Sequence, residues 1–123
     1  VIRGFVNARH EAVVPIRVRG PGQSWLDVDA VVDSGFTGSL TLPVATAATL
    51  GLARQSGGSA VMADGTLRHF DIYAVEVAWE SGWRPVLVSA VGAEALLGMR
   101  LLVGHELRIE AAPGGAIEIA PLP

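Results

Sequence analysis

Cysteine is absent from the 123 residues, which excludes disulfides, thiolate catalysis and cysteine-based metal sites while leaving every compartment open. Aromatic residues make up only 6%, and nine basic residues set against twelve acidic ones form no run, so the net charge of −3 offers no electrostatic footprint for nucleic acid. No DNA or RNA partner is expected. No apolar stretch reaches the roughly 18 residues of a helical membrane span, and the first residues lack a charged-then-apolar leader, so neither a membrane anchor nor an intact signal peptide is expected. The expectation is a soluble, cytoplasmic chain. His10, His69 and His105 lie far apart without a His-Glu-x-x-His pattern, and no metal site is expected. Gly-x-Ser-x-Gly is missing, as is a glycine loop ending in Lys-Ser or Lys-Thr, so serine-hydrolase and nucleotide-binding readings fall away.

What the chain does contain is apolar residues, at 50% of the total, more than a soluble monomer of this size needs and in keeping with surface buried between subunits. The length suits one domain, residues 1–123, with its own core. Most informative is Val31-Val32-Asp33-Ser34-Gly35-Phe36-Thr37-Gly38. Leu26 to Ala30 alternate apolar and polar as a strand with one wet face does, and Val31-Val32 then make both faces apolar. An ionised Asp33 at the end of such a strand is costly unless it is hydrogen-bonded, and the following Ser, Thr and Gly residues can supply hydroxyls and closely approaching N–H groups. Asp-Ser-Gly at a strand end can also do no more than open an Asx-turn.

The longer segment Val-Val-Asp-Ser-Gly-Phe-Thr-Gly-Ser-Leu-Thr-Leu-Pro resembles the active-site segment of the retropepsin-like aspartic proteases. Downstream, Leu96-Leu97-Gly98-Met99-Arg100-Leu101-Leu102 resembles that family's hydrophobic-hydrophobic-Gly segment, which crosses beneath the catalytic loop and leads into a short helix. The two motifs stand in the family's order. The resemblance implies an all-β, mainly antiparallel acid-protease barrel with one or two short helices, functional as a homodimer. Only one Asp-Ser-Gly is present, and Asp64-Gly65-Thr66 uses similar letters in another order, so a catalytic pair of carboxylates has to come from two chains.

In chain order, strands are predicted over Val1 to Val6, Ala12 to Val18, with Val14, Ile16 and Val18 on one face, and Trp25 to Val32, the last two joined through a Gly20-Pro21-Gly22-Gln23 turn. Ser39 to Leu42 alternates as a strand, and Pro43 suits the first turn of a helix from Val44 to Leu50 that stops at Gly51 and packs through Leu50 and Leu52. Arg54 to Ser59, polar and glycine-bearing, reads as a surface loop. Asp64-Gly65 between Ala60–Ala63 and Leu67–Val77 predicts a hairpin because both residues tolerate positive φ. By resemblance this hairpin is the flap over the substrate, with Met62, Ala63, Asp64, Gly65 and Thr66 at its tip; otherwise it is an ordinary surface hairpin. Family tips are often richer in glycine. Ile72 to Trp79 and Trp83 to Val91 form a further hairpin, with Trp79 and Trp83 bracing the core rather than binding a ligand. Leu96-Leu97 reads as a buried strand, Gly98 as a point of close chain approach, and Met99 to Val103 as a short helix stopped by Gly104. Many relatives have Asp or Asn where Arg100 stands. Leu107 to Glu110 and Ala116 to Ala120 form the last hairpin, which by resemblance belongs to the dimer interface.

The function implied is that of an aspartic endopeptidase. Two Asp33 carboxylates, one per subunit, share a proton because like charges so close cannot both ionise comfortably, and the ionised one activates a water. No cofactor is needed. Ser34 or Thr37 ties the two loops together, Gly35 lets backbone groups approach the peptide or protein substrate, and Leu97 and Gly98 support the loop from below, all by resemblance. The alternative from another class is a non-catalytic dimeric module binding a peptide or partner in the same cleft, and a third reading is a β-rich domain with no site.

Overall fold

A computed structural model describes residues 1–123 as ten strands and two short helices. The strands are β1 (Ile2–Val6), β2 (Ala12–Arg19), β3 (Trp25–Val32), β4 (Leu40–Leu42), β5 (Arg54–Val61), β6 (Leu67–Trp79), β7 (Gly82–Ala90), β8 (Ala95–Leu97), β9 (His105–Ile109) and β10 (Ala116–Pro121). Helix α1 spans Val44–Thr49 and α2 Met99–Leu102. Neither is long and apolar enough to cross a membrane.

Strand order is β5-β6-β7-β4-β8-β3-β2-β1-β10-β9, and a further β2–β6 pairing closes the run from β6 to β2 into a barrel. Two pairings in that barrel, β3 with β8 and β4 with β7, are parallel, and its others are antiparallel. Closure rests on Val18↔Val77 and Arg19↔Glu76 alone. Along one edge β2 changes neighbour, from β1 at Ala12 and Val13 to β6 at Val18 and Arg19, and Pro15, which has no N–H for a ladder, lies between the two. β5 extends the sheet beyond β6 as a free edge, while β1, β10 and β9 extend it beyond β2.

Alternation places the core as expected. Val14, Ile16 and Val18 of β2, Val75, Val77 and Trp79 of β6, and Leu97, Leu101, Ile117 and Ile119 from the later elements are all buried. Burying one such side chain contributes about 1.5–3 kcal/mol, so this cluster is the main source of stability. α1 follows Pro43 and ends before Gly51, whose φ of +63° suits glycine, and Leu50 and Leu52 pack over Gly20.

Two local expectations are corrected. Arg54 to Ser59 is part of β5 rather than a loop, and its register runs from Arg54↔Tyr73 to Val61↔Leu67 with an irregularity between Arg54 and Ser56. Nearly all of its residues are exposed, so its order comes from backbone pairing with β6, which leaves no apolar pattern to read. At the hairpin tip only Gly65 has positive φ (+85°), and Asp64 does not. The turn closes by Gly65 N–H to the Met62 carbonyl and Met62 N–H to the Thr66 carbonyl, while the Asp64 carboxylate accepts the Thr66 N–H and hydroxyl. The last hairpin forms as expected, but β10 is paired on both sides within the chain, by β1 and β9, so only β9 offers a free edge.

Candidate active site

Asp33 follows the last residue of β3 and opens a seven-residue connection to β4. Its N–H donates to the Leu97 carbonyl at 2.9 Å, which continues the β3–β8 pairing of Val32 with Leu97 by one more bond. Its carbonyl accepts the Phe36 N–H at 3.1 Å, and its Oδ1 accepts the Gly35 N–H at 2.9 Å. The Asx-turn reading therefore holds as a description of local geometry. A β-carbon on Gly35 would lie 3.2 Å from that oxygen, so a larger residue there would shift the carboxylate by a few tenths of an ångström.

The loop rests on the second motif. Gly98 N–H donates to Ser39, Met99 N–H to Phe36 and Arg100 N–H to Gly38, in each case to the carbonyl, at 2.9, 2.8 and 3.1 Å. The unpaired N–H groups at the start of α2 thus find acceptors in the Asp33 loop. Gly98 is required by contact rather than by conformation, because a β-carbon there would collide with the carbonyls of Gly38 and Phe36. Leu97 is fully buried beneath, and the side chain of Arg100 makes no ion pair.

Thr41 completes the support. Buried in β4, its Oγ1 accepts the Leu96 N–H at 2.9 Å and so ties β8 to β4 below the loop. Sequence reasoning had passed over it, since an alternating Leu-Thr-Leu strand does not say that the threonine faces a backbone donor 55 positions away.

Geometry brings Asp33, Gly35, Leu97 and Gly98 together in one hydrogen-bonded unit. Asp33 is half-buried, while Ser34 and Thr37 are exposed and their hydroxyls make no hydrogen bond within the chain. The loop presents its polar tip outward. Met62, Ala63, Asp64, Gly65 and Thr66 sit apart at the end of the β5–β6 arm, where β5 pairs only with β6 and no hydrogen bond reaches the Asp33 loop. Val61 and Leu67 flank that tip with exposed apolar side chains. Asp64 is held below the usual carboxylate range, first by the Thr66 hydroxyl at 2.6 Å and then by the Thr66 N–H. No cluster of His, Asp or Glu side chains suited to a metal ion is present.

Strand order, the two parallel pairings and a loop braced by the strand-to-helix segment below it are together those of the retropepsin-like fold. A crystal structure of a retropepsin-like aspartic protease from Rickettsia conorii is similar to this chain over 98% of its length and 91% of that protein's, with a TM-score of 0.60 at 16% sequence identity. No family model and no curated protein matches the sequence.

Proposed function

We propose that this chain is an aspartic endopeptidase, active as a homodimer in which each subunit contributes Asp33. The observation that carries the reading is the placement of Asp33: a single half-buried carboxylate at the start of the β3–β4 loop, whose backbone is fixed from below by Leu97 and Gly98. The retropepsin-like fold supports it.

With two such loops facing each other across a twofold axis, the paired carboxylates hold one proton between them, because bringing two negative charges within a few ångströms disfavours ionising both. The ionised Asp33 takes a proton from a bound water as the water oxygen attacks the scissile carbonyl carbon. The protonated Asp33 gives its proton to the carbonyl oxygen, and the tetrahedral intermediate forms without a covalent bond to the enzyme. Its collapse breaks the C–N bond, with a proton returned to the departing amine. Gly35 N–H holds one carboxylate oxygen in place throughout. The exposed Ser34 and Thr37 hydroxyls are positioned for hydrogen bonds to the facing loop, and Met62 to Thr66 serve as the flap under which the extended peptide pairs like an added strand.

Peptide cleavage by the parent and Asp33→Asn proteins, scanned from acidic to neutral pH alongside thermal melting, tests the proposal. Asn keeps the shape and removes the ionisable group. Turnover should vanish in a variant that remains folded and is as stable as the parent or more so. A folded Asp33→Asn protein with undiminished cleavage sinks the mechanism, and a folded parent that binds peptides yet cleaves none at any pH is a binding module instead.

A further inference from the structure

Along the outer face of β3, Asp29, Val31 and Asp33 follow one another at every second residue, which sets Val31 about 6.6 Å from Asp33. A groove of about 410 Å³ opens at Val31. Its floor is apolar. Val31 stands opposite Val13, and Val13 opposite Phe5, so the three side chains form one row across β3, β2 and β1.

The rim is charged, and its charges do not balance. Arg9, Glu11, Asp29 and Glu94 all line the groove, three carboxylates to one guanidinium. Arg9 divides itself between Glu11, at 3.2 Å, and Glu94, at 3.9 Å. Glu11 is further engaged by the Asn7 side-chain amide at 3.0 Å. Asp29 has no such partner: it stands opposite Pro15, which brings it neither charge nor donor, and it takes part in no ion pair. An apolar floor under an anionic rim matches a side chain with an apolar stem and a cationic head, the build of lysine and arginine. A wholly aliphatic side chain would strip water from the rim without replacing its hydrogen bonds, and an acidic one would meet like charge.

We propose that this groove is a substrate subsite selective for a lysine or arginine side chain, with Asp29 the principal specificity-determining carboxylate and Glu94 the second. The assignment rests on the endopeptidase reading. Because Val31 is one side-chain repeat from Asp33, the recognised residue falls within two positions of the cleaved bond.

A peptide library randomised on both sides of the cleaved bond is digested by the parent, Asp29→Asn, Glu94→Gln and Asp29→Arg proteins. At one position within two residues of the cut, the parent should prefer Lys or Arg over Met by about five- to tenfold, the scale of one or two partly exposed charge pairs. That preference should drop to about twofold or less in Asp29→Asn, fall in part in Glu94→Gln, and turn toward Asp or Glu in Asp29→Arg. It should also weaken as salt rises from about 0.05 to about 0.5 M. Cleavage without a basic preference, or with one that Asp29→Asn leaves intact, overturns the subsite while leaving the endopeptidase reading standing. If nothing is cleaved, the endopeptidase reading fails, and binding of Lys- against Met-containing peptides to the Asp33→Asn protein decides the groove separately. Equal affinity for the two peptides rejects it, whereas a lysine preference lost in Asp33→Asn/Asp29→Asn upholds it.

Discussion

A methyl group on Gly98 would enter the space of two carbonyl oxygens, those of Gly38 and Phe36, and neither belongs to a flexible side chain that could swing aside. Gly98→Ala must therefore push the Asp33 loop away from α2. Overpacking of this kind destabilises by about 1–3 kcal/mol, and urea unfolding should show it together with a loss of any peptide cleavage. Thr41→Val probes the same support by subtraction. It keeps the shape of the side chain but leaves the Leu96 N–H without its acceptor, which should lower stability by about 1–3 kcal/mol in the same assay. The two substitutions share one hydrogen-bonded unit, so their effects in combination should depart from a simple sum. An additive double variant would show that loop and strand are held independently.

Among the elements, the β5–β6 arm joins local chemistry to pH. Asp64 is held ionised by Thr66, whose hydroxyl is the larger cause and whose N–H is the lesser. Since the folded carboxyl titrates below its unfolded value, the stabilisation of the turn is fully present above the ordinary carboxylate value of 3.8 and is lost as pH falls through the lowered one. Amide exchange at Met62 and Gly65, corrected for the intrinsic rate, should accordingly be faster in Asp64→Ala than in the parent above that value, with the difference closing below it. A gap that persists unchanged into strong acid would mean that the carboxylate does not hold the turn. The elements also show what was legible in the sequence. β2 announces itself because Val14, Ile16 and Val18 face the core while Pro15 and Arg17 face out. β5 is exposed almost throughout and gives no periodic signal; its partner β6 orders it, so polar, glycine-bearing residues read as a loop. The Asp33 loop and the Leu-Leu-Gly segment could be read as motifs, and their mutual bracing followed from resemblance. The Thr41 bond and the rim of the groove at Val31 could not, because the first needs β4 paired with β8 and the second needs Glu94 brought beside the first three strands, both contacts between distant parts of the chain.

For the molecule as a whole, the proposed mechanism ties activity to association, since one chain brings one Asp33. Specific activity should rise with protein concentration and level off where sedimentation shows the dimer filled. A protein that stays monomeric and fully active would refute the shared dyad. The barrel itself has an uneven wall: β6 and β7 are paired from Asp71↔Ala90 to Trp79↔Gly82, whereas β2 and β6 meet at only two residue pairs. That short seam lies on the strand that continues outward, paired with β5, as the β5–β6 arm. At that seam the pairs Val18↔Val77 and Arg19↔Glu76 are supplemented by the Arg19–Glu76 ion pair at 3.0 Å and by Arg19 stacked 3.9 Å over Trp83. A single part-buried arginine on β2 thus clasps both β6, through Glu76, and β7, through Trp83, at the place where the barrel closes through only two residue pairs.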